Sequence, residues 1–300
     1  MSFVGLVSDS TACLHPSIIA RHGIRIVPLY IKMGERTLRD GIDITPDEFY
    51  EQLPQCTPLP TTSQPSVGDF VAVYQALRDQ GASSIVSVHL SAGISGTINS
   101  ANLAAQQIDG FPIRVIDTQC AAAAHMLAVE AGVNALAQGA DLEGVVAAIE
   151  RAVNTLHIVF TVDTLEYLYK GGRIGGAAAL LGSLLQFKPL LTFKDGKIDA
   201  LERVRKSSRA MARLAEVMAG WTNGEPQRAV VMQAACMDRA EALAAMLPEY
   251  LNVVETQIVP LTPVIGAHVG NGTLGLCCCP VTVCGLPEYD TGLSQVAATG

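Results

Sequence analysis

The first half of the chain repeatedly runs a short apolar stretch into a hydroxyl-rich turn and then into helix-like sequence. Val4-Gly5-Leu6-Val7 leads into Ser8-Asp9-Ser10-Thr11. Ile85-Val86-Ser87-Val88-His89-Leu90 leads into Ser91-Ala92-Gly93-Ile94-Ser95-Gly96-Thr97, and Ile113-Arg114-Val115-Ile116 leads into Asp117-Thr118. Strands of this kind, alternating with helices across short connections, build a parallel sheet covered on both faces. Ligands of such sheets gather at the carboxyl ends of the strands. The turns therefore bring hydroxyls and helix N-termini to one rim, a setting that suits an anionic group.

Other punctuation fills in the first unit. Residues 17–22 read as a short helix ended by Gly23, and 24–30 as a second strand. Thr45, Pro46 and Glu48 have the spacing of a capped helix start. Prolines 58, 60 and 65 mark residues 57–65 as an irregular loop carrying Thr61, Thr62 and Ser63, after which Ser66 caps a helix. Helices are expected over 97–108, 121–138 and 142–155. The pattern changes near Leu156. Beyond it come a strand at 157–162, a helix at 177–185 and a hairpin around Asp195-Gly196. Helices at 208–221 and 239–247 alternate with strands at 228–233 and 252–258. The expected fold class is α/β: an N-terminal parallel-sheet, three-layer domain over 1–156 and a second α/β domain with a β-hairpin over 157–300.

Apolar residues make up 49% of the chain, which excludes a disordered protein. Charged residues are only 16%. An interior housing an apolar ligand would explain that, and so would an Ala-rich composition. The net charge of −8, with no basic stretch longer than Arg203-Val204-Arg205-Lys206, argues against a nucleic-acid partner. No run approaches the roughly 18 apolar residues of a membrane span. The start, Met1 to Val7, looks like a strand and not a signal peptide, so a cytoplasmic location is expected. Cys277, Cys278, Cys279 and Cys284 lack a nearby His or second CxxC pair, and adjacent residues of a strand point to opposite faces. Core packing of a last strand, not a metal site, is the reading.

The turn at 91–97 is the sharper chemical signal. Glycines let backbone approach a ligand, and the free N–H groups of the following helix favour a negative group. The Gly-Lys-Ser/Thr ending of a P-loop is absent, the GxGxxG spacing fails, and Gly93-Ile94-Ser95-Gly96 is out of register with a GxSxG elbow. Carboxylate or phosphate binding by amides and hydroxyls remains. Thr61-Thr62-Ser63-Gln64, held between Pro60 and Pro65, is either a capping segment or part of the same rim. Arg173, Arg203, Arg205 and His268 are candidate counter-charges; His268 could serve its own domain or donate one hydrogen bond to a bound acid. There is no Ser-His-Asp order. A hydrolase or acyltransferase using Ser95 or Thr62 as nucleophile, and a scaffold with a solid core, stand as alternatives.

Taken in order, Asp9-Ser10-Thr11, Thr61-Thr62-Ser63-Gln64-Pro65-Ser66, Leu90 to Thr97, Gly171-Gly172-Arg173-Ile174, Gly196-Lys197-Ile198 and Ala267-His268-Val269-Gly270 resemble the landmarks of the DegV family over about residues 3–276. The resemblance implies a two-domain DegV-like fold with one long-chain fatty acid in an interdomain tunnel. It implies no cofactor, metal or catalysis by this chain alone. In members resembling carrier subunits, a separate fatty-acid kinase is the partner that receives the bound acid. The carboxylate would meet Thr62, Ser63, Ser95, Gly96, Arg205 and His268, with Ser10, Ser91, Ala92, Gly93, Thr118 and Arg173 in support. The family often has Ser-Ser where this chain has Ser91-Ala92, so a hydroxyl is missing at 92. The tail from Cys277 onwards also departs from the pattern.

Overall fold

The computed structural model describes residues 3–181, 187–205 and 207–285. The N-terminal part runs β1 (Phe3–Asp9), α1 (Pro16–His22), β2 (Arg25–Val27), β3 (Tyr30–Met33), β4 (Arg36–Arg39), α2 (Pro46–Gln52), β5 (Thr61–Ser63), α3 (Val67–Asp79), β6 (Ala82–His89), α4 (Thr97–Ala105), β7 (Ile113–Asp117), α5 (Ala122–Ala137) and α6 (Leu142–Thr155). Then come β8 (His157–Thr161), α7 (Glu166–Lys170), β9 (Lys188–Lys194), β10 (Lys197–Val204), α8 (Ser207–Thr222), β11 (Gln227–Gln233), α9 (Met237–Met246), β12 (Val253–Pro260), α10 (Pro263–Val269), β13 (Leu274–Pro280) and α11 (Val281–Cys284).

Strands β2-β1-β6-β7 form a four-stranded sheet, parallel throughout. A six-stranded sheet, β10-β9-β8-β13-β11-β12, is antiparallel except between β11 and β12. The architecture is the expected two-domain α/β fold. Differences from the sequence reading have local causes. The second expected strand breaks at Pro28 into β2, on the parallel sheet, and β3, the central strand of a small antiparallel sheet β4-β3-β5. Residues 61–63 are not irregular: the prolines flank them, and Thr62 pairs with Ile31 in β5. The helix expected over 177–185 is a 3₁₀ turn at Gly175–Leu180, and 182–186 lie outside the described residues, as does the tail from 286.

The core is organised by α5. Its residues Ala122 to Val133 are all buried, and it packs on β1 and β6 of one sheet and on β11 and β13 of the other. A helix covered on every side reads as apolar all round, not amphipathic. Its small side chains let neighbours close in. At Gly132 an added Cβ would stand 2.8 Å from Ile149 of α6. The cysteines of β13 divide between the faces of the larger sheet: Cys277 and Cys279 join the cluster around α5, and Cys278 the cluster under α8 and α9. One acid interrupts α5. Glu130 pairs with the fully buried Arg228 of β11, which also holds Glu255 at 2.7 Å.

Breaking a buried ion pair by removing one partner costs up to about 3–5 kcal/mol, and without Glu130 the buried Arg228 would keep Glu255 as its carboxylate partner but lose the charge facing it from α5. Glu130→Ala should therefore lower the urea midpoint strongly. Glu166→Ala, which breaks the exposed i,i+4 pair with Lys170, should leave it nearly unchanged.

Candidate functional site

The 91–96 turn is clamped between the two halves. Ser91 donates from Oγ to the Gly196 carbonyl at the hairpin tip (2.6 Å) and accepts from the Gly93 amide (3.0 Å). A Cβ on Gly93 would fall 2.4 Å from that same carbonyl oxygen, so only glycine permits this approach. Arg173 reaches back from the second half, donating through Nε to the Ile94 carbonyl (3.0 Å) and through Nη1 to Gly171 (2.8 Å). Ser95 Oγ lies 2.9 Å from Thr97 Oγ1 and accepts from the Thr97 amide at the start of α4.

A second crossing joins β5 to α10. Thr62 Oγ1 and His268 Nε2 are 2.7 Å apart. Asp40 accepts from the Val264 amide in the first turn of α10 (3.2 Å), and Tyr50 donates to the Leu261 carbonyl just before it. Gly171 packs directly on the His268 ring, where a Cβ would stand 2.4 Å from Nδ1. That Nδ1 is buried and has no hydrogen-bond partner among the described residues. Burial, aided by the nearby Arg173 charge, pushes the His268 pKa down to about 4. At neutral pH the ring is an uncharged hydrogen-bonding group.

These crossings enclose one end of a cavity of about 820 Å³, counting the space at its mouth. Its polar end holds Thr62, Ser63, Gln64, Ser95, Arg173 and His268. The rest is mainly apolar, with Leu29, Leu90, Ala121, Phe160, Met232 and Val264 among its walls. Ala122, also in the wall, holds a positive φ of 56°, a conformation that costs a non-glycine residue energy.

The other expected site residues lie around this group. Gly96 precedes α4 and faces the Gln64 amide, which a Cβ would approach to 2.7 Å. Ser10 accepts from the Leu29 amide (3.2 Å), and Thr118 donates to the His89 carbonyl (2.8 Å). Ala92 is exposed, and its amide donates to Asp117. The structure brings Arg173, not Arg205, to the cavity. Arg205 lies just past β10, exposed, with its guanidinium 5.9 Å from the centroid of the Phe187 ring.

Sequence reasoning named Gln64 only as part of the 61–64 segment, and it missed a buried network behind the cavity. Asp9, fully buried, accepts from the Thr11 amide and hydroxyl and the Leu90 amide, and pairs with His89 Nδ1 at 3.0 Å. Burial alone would raise its pKa, but the His125 charge and the bonds from His89 and Thr11 hold it at about 2. His89 Nε2 in turn meets Ser87 Oγ (2.6 Å), which accepts from Tyr74 (2.8 Å). The signal was present: polar residues inside apolar strands and an Ala-rich helix must find partners.

Two of these groupings resemble hydrolytic machinery and fail chemically. The Ser87-His89-Asp9 relay is fully buried, and Ser87 is occupied by Tyr74. The Thr62-His268 pair has no carboxylate orienting the imidazole among the described residues, and a base with a pKa near 4 abstracts a proton poorly at neutral pH. What the arrangement can do is hold an anion: hydroxyls, an amide, a neutral imidazole and one arginine converge at the end of an apolar chamber.

Comparison with known proteins follows this geometry. A family profile described as an uncharacterised protein of the DegV family matches residues 4–281. A DegV domain-containing protein of Streptomyces coelicolor is 42% identical over 275 residues, 91% of this chain and 97% of that protein. Among solved structures, a DegV family protein from Thermus thermophilus, described for its fatty-acid binding, superposes with a TM-score of 0.88 at 38% identity, covering 93% of this chain and 99% of that one. DegV of Bacillus subtilis, described as a fatty acid binding protein, gives 0.84 at 32% identity with 93% and 99% covered.

The depressed pKa of His268 makes stability depend on pH. The folded protein resists protonating this ring, so its share of stability is whole above the ordinary value of 6.5 and is lost as pH falls toward about 4. His268→Gln removes that share. Its urea midpoint should therefore drop less than that of the wild type between pH 7.5 and 4.5.

Proposed function

The chain belongs to the DegV family, and on that footing we propose that it binds one long-chain fatty acid in the cavity between its halves, without catalysis by this chain alone. The two units divide near 156, as 1–156 and 157–300. The carboxylate lies against Thr62, Ser63, Ser95, Arg173 and His268, with the Gly96 backbone beside it, and the alkyl chain fills the apolar remainder. The observation that carries this reading is the sorting of polarity in one chamber: donors at one end, hydrocarbon walls beyond. Each methylene removed from water contributes about 0.8 kcal/mol, so the chain supplies affinity and the polar end supplies orientation. The solved relatives described as fatty-acid-binding support it.

The bound acid is then presented to a separate fatty-acid kinase. Support comes from the far side of the polar end. Thr62, Arg173 and His268 also line an outer groove with Cys56, Tyr167 and Lys170, so the headgroup sits one side chain from an approach route. Lys170 is an exposed basic residue of that groove, and Arg205, exposed beyond β10, is a further basic residue open to a partner.

Denaturing purified protein should release a fatty acid identifiable by mass spectrometry, and stripped protein should rebind palmitic acid. A hydrogen bond to a charged group is worth about 1.5–3 kcal/mol, so Thr62→Val and Ser95→Ala should each weaken binding by about 10- to 100-fold. Unchanged affinity in both folded variants defeats the headgroup placement. A covalent acyl adduct on Ser95 would favour an acyltransferase instead.

A further inference from the structure

The cavity has a second neighbour besides the groove at its polar end. A cleft of about 950 Å³, counting its open side, lies where the 118–120 segment, the end of α6, the start of β8 and the hairpin tip meet. Its lining includes Cys120, Leu156, Lys194 and Trp221. The two clefts share no lining residue with each other, yet each shares some with the cavity. At the groove the shared residues are Thr62, Arg173 and His268, the polar end. At the cleft they are Ile158 and Phe193 alone, both apolar.

Ile158 and Phe193 therefore form a wall between cavity and cleft, and none of Thr62, Ser95, Arg173 and His268 lines the cleft. Phe193 is only half-buried. Its ring sits 6.3 Å from that of Phe160, tilted by 40°. We infer that Phe193 and Ile158 form a movable partition, and that the cleft behind them takes the far end of acyl chains too long for the main cavity. This rests on the fatty-acid reading of the cavity. It makes Phe193 a determinant of chain length: a rigid wall would reject every carbon beyond the cavity's capacity, whereas a partition that turns aside lets extra methylenes leave water. Each methylene that does so tightens binding by about fourfold.

Trp221 is the only tryptophan of the chain and lines this cleft, with its ring 5.5 Å from that of His157. It is a built-in reporter. Burial lowers the His157 pKa, so at pH 8 the imidazole is neutral. Stripped protein should be titrated there with palmitic and docosanoic acids carrying bromine on the terminal carbon, a contact quencher. Both should bind, and only the docosanoic probe should quench Trp221. Phe193→Ala should raise docosanoic affinity relative to palmitic affinity, read as the ratio of the two dissociation constants, by about fourfold for each further methylene admitted. Phe193→Leu gives the same reading, with a smaller increase, should the alanine variant fold poorly.

Palmitic acid bound, with docosanoic acid rejected or bound without quenching in the wild type and in both variants, overturns the partition and leaves the fatty-acid reading standing. Quenching that survives when excess unlabelled palmitic acid fills the main cavity would place an independent ligand in the cleft, and also overturns it. Failure to bind either acid overturns the fatty-acid reading together with this one.

Discussion

Helix α5 has no solvent face from Ala122 to Val133, and much of the molecule follows from that. A helix pressed between two sheets must be slim and apolar on every side, which accounts for its alanines and for part of the low charge of the chain. Any polar group it carries must be matched on the spot, because no water is available. Glu130 finds Arg228 on the opposite sheet, and His125 finds Ser8, Thr11 and the Val88 carbonyl. The halves are thus joined through a shared dry layer, and the cavity lies along that layer, beside Ala121 and Ala122.

Partial burial also governs the polar end. Burial disfavours an imidazolium at His268, and the Arg173 charge disfavours it further. One permanent cation and one neutral ring therefore stand together at neutral pH. In the proposed complex that combination would match a single carboxylate with a single cation, leaving no second charge on the ring to be compensated. Arg173 is kept in place when no anion is present by the Ile94 and Gly171 carbonyls. An arginine held only by its ligand would have to be desolvated anew with each binding event.

How much of this could be read from the sequence depended on whether the deciding interaction was local. The apolar runs ending in Asp9, His89 and Asp117 announced β1, β6 and β7, because strand burial and turn chemistry act within a few residues. The capping box at Thr45 and Glu48 was legible for the same reason. Residues 61–63 were read as an irregular loop because three prolines surround them, whereas the partner that makes them a strand is Ile31 of β3, distant in the chain and beside them in the small antiparallel sheet. Among the site residues, the hydroxyls at 62 and 95 and the imidazole at 268 were visible as motifs. Arg173 was placed among supporting residues and Arg205 at the headgroup, because nothing in the sequence tells which arginine a fold turns inward. The Asp9 network left a local trace, buried polar residues in apolar company, but its connectivity spans Asp9, His89 and His125 and exists only in three dimensions.

That network also explains why the chamber is polar at one end only. Thr11 and Thr273 line the cavity too, yet neither hydroxyl is spare: Thr11 donates to Asp9, and Thr273 donates to the Val269 and Gly270 carbonyls. With those atoms satisfied internally, the walls beyond the polar end offer no unused donor from a threonine. An amphiphile inserted backwards would bury its carboxylate against hydrocarbon, which costs far more than the alkyl chain gains. The forward orientation meets hydroxyls, an imidazole and an arginine already in place. In the proposed complex, the direction of binding would be set as much by side chains whose hydroxyls are held away from the ligand as by those that would touch it.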